Sequence, residues 1–138
     1  MTGFEVLGTR AFYRPVGSLP FDQGVERIAE ALARARELEL GDILVNTAAI
    51  ASLDPPGVFE RYAMMTRWVR SAGKYLRVAI VARPAFIDHQ RIGVLIAQNR
   101  GMNTEVFADE PSALQWLEAR RIRSSGARWR PRGLASGY

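Results

Sequence analysis

At 138 residues, 48% of them hydrophobic and 24% charged, the chain has the size and balance of one globular domain, able to bury about two thirds of its unfolded surface. It contains no cysteine, which excludes a disulfide framework, a thiolate nucleophile and a cysteine-ligated zinc centre. Its net charge of +5 hints at nucleic acid until it is located: residues 119–138 hold six arginines and no acid, so of 19 basic and 14 acidic groups, 13 and 14 fall in residues 1–118. The body is neutral and only the tail is basic.

Phe4 to Leu7 and Ala11 to Val16 are short β-prone runs parted by Gly8 and Thr9, the pattern of a hairpin at a sheet edge. Pro15 suits an edge or a strand end, because it cannot donate to a ladder. After a turn over Gly17 to Pro20, Asp22 is the expected N-cap of a first helix. There Val25, Ile28, Leu32 and Ala35 recur at helical spacing, and the helix ends near Leu40 with Gly41 as its stop. Ile43, Leu44 and Val45 form an unbroken, β-branched apolar run, the expected central strand of a parallel sheet. A loop follows, and Asp54 with Pro55 then gives an N-cap and a proline at the first helical position. In open α/β sheets the loop at the carboxyl end of a strand is the usual functional surface, so Asn46, Thr47, Ser52 and Asp54 are the candidate site.

The second helix is expected from about Pro55 to Ser71, with Phe59, Tyr62, Ala63, Thr66 and Val69 as its core stripe. Met64 and Trp68 then fall on the solvent side, flanked by Arg61 and Met65. A large aromatic beside a flexible thioether is a suitable contact anchor, so Arg61, Met64, Met65 and Trp68 are the expected interface. Leu76 to Ala82 is a second parallel-type strand, broken by Pro84. Asp88 is placed to cap a third helix in which Ile92, Leu95, Ile96 and Asn99 share a face, and Gly101 to end it. Thr104 to Phe107 is a last strand. Asp109, Glu110 and Pro111 open a fourth helix whose apolar residues are Ala113, Leu114, Trp116 and Leu117. Beyond Arg121 the pattern stops, which divides the chain into a domain of residues 1–121 and a basic, disordered tail of residues 122–138.

The order ββαβαβαβα predicts an α/β fold: a four- to five-stranded, mostly parallel sheet with the N-terminal hairpin at its edge and helices packed on it. That order, with Leu44-Val45-Asn46, Arg77-Val78-Ala79-Ile80-Val81, Asn99-Arg100-Gly101, Glu105-Val106-Phe107-Ala108-Asp109-Glu110 and Ala113-Leu114-Gln115-Trp116-Leu117, resembles the STAS superfamily. Within it the bacterial SpoIIAA-like (STAS/SEC14-type) branch is the more similar, and the resemblance covers about residues 4–119. It implies a small non-enzymatic domain that binds a partner protein or, in some relatives, a small ligand. In the anti-sigma-factor antagonists of the superfamily the loop after the central strand carries Asp-Ser-Ser-Gly, whose second serine is phosphorylated. The segment here is Asp54-Pro55-Pro56-Gly57, so that switch has no hydroxyl. Nearby Ser52 is the remaining phosphorylation candidate, where a helix N-terminus would favour the added charge.

His89 is the chain's single histidine. Beside Asp88 it lacks a serine, cysteine or second histidine in the sequence pattern to complete a nucleophile or metal set. No paired-carboxylate motif and no glycine-rich phosphate loop occurs. The expectation is no enzyme, no catalytic residue, no cofactor and no metal. In the tail, Arg128, Trp129 and Arg130 mix arginine with an aromatic ring, one means of holding RNA, single-stranded DNA or another anion, and nucleic acid is considered only there. Glu5, Arg10 and Arg14 interrupt any signal-peptide core, and no apolar run approaches about 18 residues, so a cytoplasmic chain without a transmembrane segment is expected. Two function classes follow. The favoured one is a STAS-like protein-interaction or regulatory module, binding another protein or a second copy of itself as a homodimer. The alternative is a small-ligand or lipid carrier of the SEC14 kind.

Overall fold

The computed structural model describes residues 1–51 and 57–129, with the side chains of residues 58, 88–90 and 120–129 left outside that description. Along the chain run β1 (Phe4–Leu7), β2 (Arg10–Tyr13), β3 (Gly17–Ser18), α1 (Phe21–Glu37), β4 (Asp42–Asn46), β5 (Ile50–Ala51) and α2 (Val58–Ala72). After these come β6 (Arg77–Val81), a 3-10 turn (Pro84–Phe86), α3 (Ile87–Asn99), β7 (Asn103–Phe107) and α4 (Glu110–Trp129). Five strands form one sheet in the order β1-β2-β4-β6-β7, with β1 antiparallel to β2 and every later pair parallel. The chain is therefore an α/β protein with a mostly parallel mixed sheet. β4 lies at its centre, where the Ile43-Leu44-Val45 run predicted it.

Successive parallel strands are added in one direction, so crossovers of a single hand put α1, α2 and α3 on the same face. On that face Tyr13, Ile43, Val45, Val78, Ile80 and Val106 pack under the three helices. The alternate residues Phe12, Leu44, Ala79 and Val81 point the other way. They are covered by Ala113 and Leu117 of α4, which follows the last strand and is free to cross to the second face.

Several boundaries differ from the sequence pattern. Pro20, not Asp22, precedes α1, and Asp22 sits in its first turn. The helix is closed by Glu39, whose φ of 57° is left-handed, with Leu40 N–H donating to the Ala35 carbonyl at 3.1 Å. Gly41 instead donates to the Thr9 carbonyl at 2.9 Å and leads into β4. α2 begins at Val58, where the Glu60 carboxylate accepts the Gly57 N–H at 2.8 Å; the expected start at Asp54 and Pro55 lies outside the described residues. Gly101, with φ 93°, does end α3 as expected. α4 opens with Asp109 Oδ1 accepting the Ser112 N–H at 2.8 Å, and runs to Trp129. Residues 122–129, expected to be a disordered tail, are thus helical.

The larger correction concerns helix phase. In α2 the buried face is Met64, Met65, Trp68 and Ala72 with Arg61, whereas Phe59 is 90% and Tyr62 46% exposed. Of the expected core stripe Phe59, Tyr62 and Ala63 face outward while Thr66 and Val69 are half-buried, Val69 packing against the core, and the expected interface of Arg61, Met64, Met65 and Trp68 is core. Two apolar stripes compete in this helix, and burial of the bulkier one removes more apolar surface from water. Trp68 also gains a partner inside, donating Nε1–H to the Val25 carbonyl at 3.0 Å. α3 is rotated similarly: Val94 and Ala97 are buried, while Ile92 and Leu95 are 52% and 59% exposed. Gly93 sets this phase, since a Cβ there would lie 2.7 Å from Met65 Cε and 3.2 Å from its Cγ. A larger residue there would need the Met65 side chain to shift.

Candidate functional site

The carboxyl edge of the parallel strands is where the chain leaves the sheet four times, and its polar side chains come from three distant segments. Asn46, the last residue of β4, accepts the Ala48 N–H on Oδ1 at 2.9 Å, a side-chain turn of the kind asparagine favours. Its Nδ2 donates to Glu110 Oε2 at 2.7 Å. Glu110, the first residue of α4, also takes a two-pronged bond from Arg14, with Nε at 2.8 Å and the second guanidinium nitrogen at 3.0 Å. Arg14 reaches Glu5 at 3.3 Å and lies over the Phe12 ring, 4.8 Å from its centre. The Arg14 hydrogen bond holds the Glu110 carboxyl below its ordinary pKa, helped by Asn46 and by the arginine's charge, and against the effect of partial burial. Arg14 is correspondingly raised, chiefly by its bond to Glu110.

Thr47 follows with both its N–H and its hydroxyl donating to the Val81 carbonyl, each at 2.8 Å. Arg83 donates to the Ile50 carbonyl at 2.6 Å, and its guanidinium lies 5.4 Å from the centre of the Phe86 ring. Residues 46–51 are therefore held from the α4 side by Glu110 and from the β6 side by Val81 and Arg83. Chemically, this arrangement positions a loop: guanidinium, carboxylate and amide are engaged with one another. Among the described residues no group of three or more histidine, aspartate or glutamate side chains is placed to hold a metal ion.

Of the sequence-derived loop candidates, Asn46 and Thr47 meet at this edge, and Ser52 and Asp54 lie outside the described residues. His89 is in the first turn of α3. Arg128 and Trp129 are on the last turn of α4, and Arg130 lies outside the described residues. Arg14, Glu110 and Arg83 were missed. The sequence carries no local signal for them, because Arg14 and Glu110 are separated by 96 positions.

The opposite edge holds a second polar cluster that sequence reasoning also missed. Asp42, fully buried at the start of β4, accepts from Arg10 at 2.7 and 3.3 Å and from Arg77 at 3.5 Å. Arg10 also donates to Glu118 of α4 at 3.1 Å. Burial opposes the Arg10 charge, but Asp42 and Glu118 outweigh it and raise its pKa. One ion network thus ties β2, β4, β6 and α4 together at the amino edge.

The third feature adjoins the carboxyl edge. Phe59 and Tyr62, one turn apart near the start of α2, stand outward. Arg100, which caps α3, donates to the Tyr62 hydroxyl and lies over its ring at 5.0 Å from the centre.

These features define an α/β domain with a rigidly held carboxyl-edge loop and an aromatic helix face beside it. No family model matches the chain, and no curated protein does. Among solved structures, the NMR structure of the protein TM1081 is similar, with 12% identity, a TM-score of 0.48, and coverage of 86% of this chain and 89% of that one. Among the described residues no helix is long and apolar enough to cross a membrane.

Proposed function

We propose that this protein is a non-enzymatic, STAS-like interaction module that works by presenting the outer face of α2 to another protein. One observation carries the reading: Phe59, 90% exposed, and Tyr62 stand on the solvent side of a helix whose opposite face is fully packed. An aromatic held on a rigid helix offers apolar area at small entropy cost, and such residues dominate binding energies at protein interfaces. The STAS-like, SpoIIAA-like assignment draws support from the order of the major elements, ββαβαβαβα, and from Asn46 at the end of the central strand. A bacterial, cytoplasmic setting belongs to the same proposal. The carrier reading would need space between helices and sheet, where Met64, Met65 and Trp68 are buried, and the interaction reading is preferred.

The test compares immobilised wild-type protein with Phe59→Ala for proteins retained from extracts of the native host. Both forms are first shown to melt at the same temperature. A protein retained by wild type and lost by the variant supports the proposal, and identical retention overturns it.

A further inference from the structure

The neutral total of residues 1–118 conceals a separation of charge. Residues 57–108 carry eight basic and three acidic side chains, whereas residues 1–56 carry five and eight. On α2, α3 and the cap of α3 this becomes five arginines, of which Arg61 is buried and Arg67 is paired with Glu26 of α1 at 3.2 Å, while the Glu60 carboxylate is bonded to Gly57 N–H. Arg70, Arg91 and Arg100 are exposed.

The same helix pair bears a group of outward apolar side chains. Phe59 and Tyr62 are on α2, Ile92 and Leu95 on α3, and all four are between 46% and 90% exposed. Gly93 against Met65 draws the two helices close, and the Arg100–Tyr62 contact bridges the seam, so residues on its two sides form one face. Exposed apolar residues one helical turn apart on two adjoining helices are suited to meet the apolar stripe of a third helix.

We infer that this face docks an acidic amphipathic helix of a different protein, with apolar residues along the seam and carboxylates meeting Arg70, Arg91 and Arg100. The inference rests on the interaction reading above and specifies its partner. Charge decides the occupant. A second copy would bring a second set of the same arginines into the interface, adding like charge and no complement. An acidic flank complements them.

The test uses the full-length protein and two fluorescein-labelled peptides with leucines at helical spacing, one flanked by glutamates and the other by lysines. The glutamate peptide should bind at least about tenfold more tightly, and its affinity should fall as salt is raised. Phe59→Ala and Leu95→Ala should each weaken it about tenfold. Arg91→Glu combined with Arg100→Glu should reverse the preference between peptides. If the pair disturbs folding, Arg91→Glu alone should narrow the preference. Equal affinity for both peptides, no binding of either, or binding indifferent to Phe59→Ala overturns the inference. A dimer in sedimentation that Phe59→Ala dissolves would assign the face to a second copy. That outcome overturns the acidic-partner inference while leaving the interaction reading to the retention test above.

Discussion

Asp42 has no exposed surface and faces two arginines, so its removal has a specific cost. Deleting one member of a buried ion network leaves the others charged and unpaired, and Asp42→Ala should lower stability by about 3–5 kcal/mol in urea titrations. Replacing Arg10, Asp42 and Arg77 together by apolar residues of similar volume should recover much of that loss. At the other edge, Glu110 has a lower pKa folded than unfolded. Its contribution is therefore complete above the ordinary carboxylate range and is lost as pH falls through its lowered folded value. Glu110→Gln should flatten the loss of stability on acidification, measured as melting temperature against pH. Glu39 holds a left-handed backbone at the end of α1, where a side chain costs energy that glycine avoids. Glu39→Gly should stabilise by about 0.5–1 kcal/mol. An unchanged or lowered melting temperature would contradict this.

At the scale of elements, α2 shows where sequence patterning runs out. Its stripe from Phe59 to Val69 and its stripe from Arg61 to Ala72 are both apolar at helical spacing, and Arg61 marks the second as a surface. In the fold Arg61 is largely buried with its stem against Gly93, a Cβ there being 3.5 Å from Arg61 Cγ. An arginine lying along an apolar surface in this way is invisible to periodicity. The phase follows the bulkier stripe, whose Met65 meets α3 at Gly93. Gly93→Ala sets a helix-propensity gain of about 1 kcal/mol against overpacking on Met65 of about 1–3 kcal/mol, so a net loss is expected. In a Met65→Ala background the same change should become stabilising. A double-mutant cycle without coupling would show that the helices do not meet there. By contrast the strands were legible: Ile43 to Val45 and Val78 to Val81 are continuous apolar runs, and burial on both faces needs no choice of phase. Asn46 and Thr47 were legible for a related reason, since the end of a central strand fixes where its loop must lie. Their partners Glu110 and Arg14 were not, because only the closed sheet brings them together.

For the whole molecule, the even sum of charges hid its arrangement, and the arrangement bears on function. Residues 1–56 carry an acidic excess and α2 with α3 a basic one, and the outer face of α2 carries Phe59. The most direct measurement places a photo-crosslinking benzoylphenylalanine at position 59 and, in a separate protein, at Tyr75, which is equally exposed. Irradiation in the native host should give a discrete protein adduct from position 59 that is absent from position 75 and is lost when Arg91→Glu is added. Adducts alike from both positions, or none from position 59, would contradict an interaction face on α2 and α3.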